Sequence, residues 1–447
     1  MNLNLPDYPD LLANVGSACR MANLFDEAAA LLNRSLHLNL ARAESWNNRG
    51  QVHEDLGEFA EAYTCYQNAY SLNRTEYPSV ALALAYSRMR LGEWSNDPWL
   101  PAGAPEGTEP FPGTWDLWEQ GRAPYVEANA LRGVPMWQGE DLTGDRLLIT
   151  WEGGYGDAIW LSRYLPKLGD CVIWVPDSLE RLAEERFPVD EAQVRGLWRC
   201  AHMDNPIDIY DYQTPLLSLL THFLRDPKTI PPVALKSAAG SPGPVPGVRR
   251  SHGAANGPSE GFTGAGESRL RVGICGMAEE NGVQRKHRSV PLLALEPLRA
   301  IPGVEWVSLM PQFYHKGWVH PITWVKDADG PAWDWKDTSQ VIEQCDLVVS
   351  VDTAVAHLSA SLGVPTWIML PMRADWKYST ALCHAIKPRS IGITNPMEYG
   401  GNWESSIWYP GVSRIFRQTH PTDWSGVIRE VADELGKLVS TEAAAMR

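Results

Sequence analysis

The chain has 447 residues, 44% apolar and 21% charged, a composition typical of a globular protein with two or three domains. Its formal net charge of −15 argues against a broad basic surface for nucleic acid, while a local basic groove stays compatible with it. The longest apolar runs are strand-sized, far below the roughly 20 residues that span a bilayer. The first ten residues lack the basic and apolar segments of a secretion signal, so we expect a cytoplasmic protein.

The N-terminal segment, residues 1–94, contains an internal repeat. Gly16 recurs as Gly50 and Ala28 recurs as Ala62, each pair 34 positions apart (50 − 16, 62 − 28). This is the period of a tetratricopeptide helix pair, and a third, partial copy follows. Such repeats bury their apolar faces only by stacking, so we expect them to pack onto the next domain. They serve either as a bare adaptor or as a groove for a protein partner.

A first α/β domain is predicted over residues 137–235, after a linker and connecting helix at 95–136. Its strand at 146–151 runs through a glycine-rich loop into a helix at 158–168, and a second strand follows at 171–175. This succession is a βαβ unit, which predicts a parallel sheet.

A second α/β domain is predicted over residues 269–440. It follows a Gly/Pro/Ser-rich segment at 236–268 that holds too few large apolar residues to order itself, and we expect a flexible linker there. Two α/β domains joined by a hinge enclose a cleft, where ligands commonly bind. The predicted strands of this domain lie at 271–276, 306–309, 323–325, 347–351 and 366–370, and the predicted helices at 339–344 and 354–362.

The glycine-rich loop of the first domain is a candidate acceptor site. Gly153, Gly154, Tyr155 and Gly156 precede Asp157, which is predicted to begin a helix with its carboxylate facing the cleft. Glycines let a backbone approach a ligand closely, and a carboxylate there can serve as general base on a hydroxyl. Aspartate is also a preferred helix cap, stabilising a helix by about 1 kcal/mol. From the residues alone, both interpretations stay open.

A phosphate site is predicted at the end of the strand at 347–351. Asp352 and Thr353 follow this strand and lead onto a helix that begins at Ala354. The free N–H groups and the dipole of a helix N-terminus favour anions, and open α/β sheets bind ligands at the carboxyl ends of their strands. His357 falls one turn into the helix, where a lone histidine is more often structural than catalytic.

Two further clusters of charge stand out in the second domain. The basic residues at 285–288 follow the strand that ends at Gly276, and their charge suits a diphosphate, although a solvated loop explains them as well. Asp327 and Asp329 have the form of a metal-binding DxD pair. We interpret this pair as a surface turn, because nothing nearby in the sequence offers further metal ligands.

In their order along the chain, these motifs resemble a tetratricopeptide-containing glycosyltransferase similar to the ADP-heptose:lipopolysaccharide heptosyltransferases of family 9. The resemblance covers most of residues 137–435. It implies a GT-B fold, with the nucleotide sugar on the C-terminal Rossmann-like domain and the acceptor facing the N-terminal one. The loop at 152–157 departs from relatives, which more often have EQGLGD. The matching segments are WEGGYGDAIWLSRYLP, RVGICG with RKHRSVPL, WVSLMPQ, DWKDTSQVIEQCDLVVSVDTAVAHLSASLGVPTWIMLP, DWKYS and WYPGVSRIFRQ.

The resemblance also implies an inverting, metal-independent transfer with no cofactor beyond the nucleotide sugar. Asp157 is implied as the base, and the loop from Gly153 to Gly156 is implied to face the acceptor. The residues predicted to bind the nucleotide sugar are Gly276, Lys286, Gln312, Asp352, Thr353, Ala354 and His357.

Three alternatives to a transferase acting on a glycan stay open. An interaction protein without turnover is disfavoured because Asp157, Lys286 and Asp352 are all retained. A protein acceptor is compatible with helical repeats beside a GT-B core. A nucleic-acid acceptor is disfavoured by the acidic charge of the chain.

Overall fold

A computed structural model of the protein shows a helical segment followed by two α/β domains. Predictions at 236–268, at 323–325 and at the Asp327–Asp329 pair lie outside the described residues. Within the described part of the chain, no helix combines the length and the apolar character needed to cross a membrane. The described residues are 5–74, 77–101, 103–104, 106–197, 209–224, 229–232, 235, 270–278, 287–309, 334–379 and 405–445.

The helical segment confirms the predicted repeat. Helix α3 begins 34 residues after α1 (43 − 9), and α4 begins 34 residues after α2 (59 − 25). The repeated glycines allow close packing within each helix pair, because a larger residue at either position would meet the second helix of the pair. A Cβ at Gly16 would lie 2.9 Å from Leu32 Cγ, and one at Gly50 would lie 2.7 Å from Tyr66 Cε1. The five helices are α1 (Pro9–Met21), α2 (Phe25–Leu38), α3 (Ala43–Asp55), α4 (Phe59–Leu72) and α5 (Pro78–Arg90).

The predicted connecting helix is present as α6 (Thr114–Asn129) and packs against α5. The two backbones are close, since a Cβ at Gly121 would lie 2.5 Å from Leu82 Cβ. Helix α6 therefore takes the position of the second helix in the third, partial pair. Its Trp118 contacts Trp376 of the second α/β domain, with 6.1 Å between ring centroids.

The first α/β domain is a four-stranded parallel sheet with strand order β3-β2-β1-β4. The predicted βαβ unit is confirmed, but its helix begins at Tyr155 and changes to a 3₁₀ helix over Ser162–Lys167. Pro166 accounts for the change, because it lacks the N–H that an α-helix would bond to the carbonyl four residues earlier. The elements are β1 (Leu147–Thr150), α7 (Tyr155–Leu161), β2 (Cys171–Val175), α8 (Asp177–Arg186), β3 (Val194–Gly196), β4 (Tyr212–Pro215) and α9 (Leu219–Phe223).

The second α/β domain is a parallel sheet with strand order β6-β5-β7-β8-β9 among the described strands. Every residue of β7 and β8 is buried, as their continuous apolar runs predicted. Helix α13 ends beyond the predicted domain limit at 440. The elements are β5 (Leu270–Cys275), α10 (Glu296–Arg299), β6 (Val304–Ser308), α11 (Trp335–Ile342), β7 (Leu347–Val351), α12 (Ala354–Ser361), β8 (Thr366–Leu370), β9 (Ser413–Arg417) and α13 (Ser425–Ala445).

The helical repeats pack onto the α/β part of the molecule, as expected: they contact the second α/β domain directly, and α6 links them to the first. Arg373, which follows β8, pairs with Glu54 and Asp55 at the end of α3, and its Nη1 lies 2.9 Å from Asp55 Oδ1. A Cβ at Gly57 would lie 2.7 Å from Met372 Cε. Charge complementarity between α3 and the loop after β8 therefore fixes the repeats against the C-terminal domain.

Candidate active site

A cavity of about 420 Å³ lies where the helical segment and both α/β domains meet. This volume is within the usual range for small-molecule sites. The predicted cleft between the α/β domains is therefore present, and the helical repeats supply a third wall that the sequence did not predict. The first α/β domain contributes Gly153, Asp157, Trp160 and Leu217, and the second contributes Arg288, Asp352 and residues 373–377.

The cavity lies at the carboxyl ends of both parallel sheets. In the first domain the chain order reverses between β1 and β4, and the residues that follow these strands meet, because Leu217 N–H donates to Glu152 Oε1 at 2.8 Å. In the second domain the order reverses between β5 and β7, and Asp352 follows β7. Such switch points are where open α/β sheets bind ligands.

Asp157 is the third residue of α7, rather than its first, and its carboxylate caps the helix. Asp157 Oδ2 accepts a hydrogen bond from Gly154 N–H at 2.7 Å, and Oδ1 accepts one from Trp160 Nε1 at 3.1 Å. Gly153, at φ +81°, makes room for this arrangement, since a Cβ there would lie 2.7 Å from Asp157 Oδ2. The predicted cap is present, and the same carboxylate lines the cavity.

The two domains touch directly at the glycine-rich loop. A Cβ at Gly156 would lie 2.7 Å from His357 Cδ2 and 3.3 Å from Ala354 Cα, so only glycine allows α7 to approach the first turn of α12 this closely. Tyr155 bridges the domains on the other side, with its ring centroid 5.2 Å from that of Trp335. The loop thus holds Asp157 at a fixed position relative to the second domain.

Replacing Gly156 with alanine is expected to destabilise the protein by about 1–3 kcal/mol, because the added methyl group overlaps His357 and forces the helices apart. Gly436→Ala in α13 is the matched control. No atom lies within 4 Å of a Cβ at Gly436, and alanine favours a helix by about 1 kcal/mol, so this variant should gain stability. Urea denaturation at pH 7 measures both variants. Wild-type stability in Gly156→Ala would contradict the close approach.

Asp352 is the centre of a buried charge cluster. Its side chain is 3% exposed, and Arg288 Nη1 donates to Asp352 Oδ2 at 3.4 Å. Lys377 Nζ lies 3.8 Å from Asp352 Oδ1 and 3.7 Å from Asp375 Oδ2. A carboxylate this buried must be paired, because an isolated charge in a low-dielectric interior is costly. The cluster places two cations beside Asp352, at the end of β7 and at one side of the cavity.

The charges of the cluster stabilise one another. Burial would raise the pKa of Asp352, but Lys377, the neighbouring His357 ring and the charge of Arg288 together hold it well below its usual range. Burial would lower the pKa of Lys377, but the carboxylates of Asp352, Asp375 and Asp157 raise it above its ordinary value. At neutral pH the cavity therefore contains an ionised Asp352 and a charged Lys377.

His357 is close to Asp352 and is buried among aromatic rings. Its Nδ1 lies 2.8 Å from the hydroxyl of Tyr409, and its ring centroid lies 6.2 Å from that of Tyr378. Burial lowers the pKa of His357, and the nearby Asp352 carboxylate, whose Oδ1 lies 3.7 Å from Nε2, offsets only part of this effect, so the ring is neutral at pH 7. These contacts fit the structural interpretation of this histidine.

Of the other residues predicted to bind the nucleotide sugar, the structure describes Thr353, Ala354 and Gly276. Thr353 is at the N-cap position of α12, but its side chain makes no capping hydrogen bond, and its Oγ1 lies 3.1 Å from Ser350 Oγ. Ala354 is the first residue of that helix. Gly276 is buried, and a Cβ there would lie 2.8 Å from Leu295 Cδ1, so it serves close packing. Its approach to a nucleotide stays a prediction. Lys286 and Gln312 lie outside the described residues.

Lys377 and Arg373 were missed from the sequence as site residues. Both lie in the loop after β8, beside the β7 end that carries Asp352. A signal was available in the segment DWKYS at residues 375–379, because it follows a fully buried strand and its lysine stands among large aromatic residues. Nothing in that segment alone indicates that the lysine turns back toward Asp352.

A second buried ion pair supports the first-domain side of the site. Glu152, which precedes the glycine-rich loop, pairs with Arg122 of α6. Burial raises the pKa of Glu152, and the charge of Arg122 opposes this. Arg122 Nη1 also donates to Ser218 Oγ at 3.2 Å. The connecting helix is thus tied to the ends of both β1 and β4.

The fold and the site define a protein of one class: helical repeats joined to two Rossmann-like domains around a shared polar cavity, which is the predicted fold class. Residues 14–96 match the family model described as the C-terminal ARM domain of tetratricopeptide repeat protein 21. Protein FlbA of Caulobacter vibrioides is 23% identical in an alignment 462 residues long, which covers 92% of this chain and 72% of the relative.

Two similar solved structures are those of glycosyltransferases. Escherichia coli heptosyltransferase WaaC with ADP-2-deoxy-2-fluoro heptose has 14% identity and a TM-score of 0.32, over 65% of this chain and 99% of that one. A mutant of Thermobaculum terrenum O-GlcNAc transferase has 14% identity and a TM-score of 0.27, over 97% of this chain and 87% of that one. A heptosyltransferase is thus among the similar proteins, as the motifs predicted.

Proposed function

We propose that this protein is an inverting, metal-independent glycosyltransferase that transfers a sugar from a nucleoside diphosphate sugar to an acceptor hydroxyl. The observation that carries the proposal is the shared cavity. Asp157 of the first domain and the Asp352, Lys377 and Arg288 cluster of the second domain line the same 420 Å³ space. A base on one side and cations on the other are what a displacement with an anionic leaving group requires.

The donor side of the proposed site is the second domain. Arg288, with a side chain 25% exposed, and Lys377 supply positive charge for a diphosphate, and Asp352 holds both in place. Charge-assisted hydrogen bonds from such groups are about twice as strong as neutral ones. The N-terminus of α12 lies beside them and adds its positive dipole.

The acceptor side is the glycine-rich loop. The Asp157 carboxylate accepts two hydrogen bonds from the protein, and a carboxylate has about four acceptor positions, so it retains capacity for an acceptor hydroxyl. In the proposed step this hydroxyl gives its proton to Asp157, and its oxygen bonds to the anomeric carbon from the face opposite the diphosphate. The bond from that carbon to the diphosphate oxygen breaks, and the electron pair leaves with the diphosphate.

A panel of UDP-, GDP-, ADP- and dTDP-sugars tests the proposal on the full chain. One base class is expected to raise Tm in a thermal-shift assay and to release its nucleoside diphosphate slowly, with water as acceptor. Arg288→Gln should weaken binding of that donor about 10- to 150-fold, because a charge-assisted hydrogen bond to phosphate contributes roughly 1.5–3 kcal/mol. Arg146→Gln is the matched control, since Arg146 pairs with Asp170 at the far end of β1.

Two results would count against a transferase. Absence of both a Tm shift and diphosphate release with every donor would favour the alternative of an interaction protein. Equal loss of donor affinity in Arg288→Gln and Arg146→Gln would show that the donor does not bind at the charged cluster of the second domain.

A further inference from the structure

One face of helix α5 lines the cavity. The spacing of its lining residues is 3, 1, 3 and 4 positions, which places them on one side of a helix with 3.6 residues per turn. A helix of the repeat segment therefore forms a wall of the site, and it meets the second domain near Arg90, whose Nη2 donates to Ala374 O at 3.3 Å. The residues on this face are Ser79, Leu82, Ala83, Tyr86 and Arg90.

This wall runs from solvent to the interior. Ser79 is exposed, whereas Tyr86, seven residues and about 10 Å further along the helix axis, is half-buried. The Tyr86 ring packs edge-on against Trp118, with 5.3 Å between ring centroids. The side chain is thus held in one orientation, with its hydroxyl in the cavity.

The Tyr86 hydroxyl shares the cavity with Asp157 and Asp375. Burial raises its pKa, and the charges of these two carboxylates raise it further, so the hydroxyl is protonated at all physiological pH values. Among the described residues no hydrogen-bond partner is recorded for this hydroxyl, and it is not one of the fully buried unpartnered groups, so it is open to the cavity. A ligand oxygen can therefore accept from it in place of water.

We propose that α5 is the acceptor wall of the cavity and that the Tyr86 hydroxyl binds the acceptor oxygen that Asp157 deprotonates. The inference rests on the proposed function. Arg288 and Lys377 are assigned to the donor, and we assign the acceptor to the space between Tyr86 of α5 and the glycine-rich loop, which line the same cavity. The acceptor enters past Ser79. Tyr86 donates to a lone pair of its oxygen, while Asp157 accepts its proton. The helical repeats thus select the acceptor at the reacting centre itself.

Tyr86→Phe in the full chain tests this role, with water as the probe acceptor and the best-binding nucleotide sugar as donor. The ring and its contact with Trp118 remain, and only the hydroxyl is lost. Hydrolysis kcat is expected to fall about 3- to 10-fold, with KM for the donor and Tm unchanged. Tyr70→Phe is the matched control. It removes a repeat-segment hydroxyl, one that donates to Gln120 Oε1 at 2.8 Å, and kcat should stay at the wild-type value.

The outcomes separate this inference from the proposed function. Wild-type kcat in Tyr86→Phe, while the parent hydrolyses its donor, overturns the acceptor wall and leaves the transferase intact. A raised donor KM with unchanged kcat overturns it too, because Tyr86 would then bind the donor. Failure of the parent to bind or hydrolyse any donor overturns the proposed function, and the inference with it.

Discussion

Replacing Asp157 with asparagine is expected to slow diphosphate release by about 10²- to 10⁴-fold while the protein stays folded. This is the usual contribution of a general base. The amide retains one oxygen that can accept from Gly154 N–H, so the cap on α7 persists in the variant. Release of nucleoside diphosphate at saturating donor measures the loss, and circular dichroism with Tm measures the fold.

Asp337→Asn provides a matched control for Asp157→Asn. Asp337 is likewise the third residue of its helix, α11, and its Oδ2 accepts from the backbone N–H of Asp334 at 3.2 Å. It does not line the cavity. Full activity in Asp337→Asn and a large loss in Asp157→Asn would separate catalysis from capping. Wild-type turnover in Asp157→Asn would show that another group accepts the proton.

Replacing Asp352 with asparagine is expected to lower the free energy of unfolding by about 3–5 kcal/mol. The variant leaves Lys377 buried and charged without its main partner, and a buried charge that loses its partner is strongly destabilising. Urea denaturation at pH 7 measures the change. A second variant, Asp352→Asn with Lys377→Met, should recover part of the loss, because it removes the uncompensated cation. A loss below about 1 kcal/mol in the single variant would contradict the ion cluster.

The same variant should change how stability depends on pH. Because the folded-state pKa of Asp352 is depressed, its contribution is fully present above the unfolded pKa of about 3.9 and is lost as pH falls toward the folded value. The raised pKa of Lys377 acts at the opposite end, since its contribution is lost only as pH rises past about 10.4. The difference in stability between wild type and Asp352→Asn should thus shrink below about pH 4.

Sequence patterns predicted both halves of the candidate site. Asp157 and Asp352 each follow a buried strand and lie at or near a helix N-terminus, and the structure brings them to one cavity. The two residues share this cavity because each follows a strand at the carboxyl edge of its own sheet, and these two edges face the same space. It did not extend to the pairing of Asp352 with Lys377, because the two residues are on different strand-end loops and only the fold of those loops sets their distance.

The sequence by itself determined the features that are local and periodic: the 34-residue helical repeat, the fully buried strands β7 and β8, and the glycine-rich turn before Asp157. Each is fixed by residues near one another in the chain, through burial, helix period and backbone freedom. Only the tertiary structure decided that the repeats close the cavity and that Tyr86 shares it with Asp157, 71 residues later (157 − 86). That arrangement depends on the docking of α3 and α5 against the loop after β8, where charge and shape complementarity between distant segments leaves no local pattern.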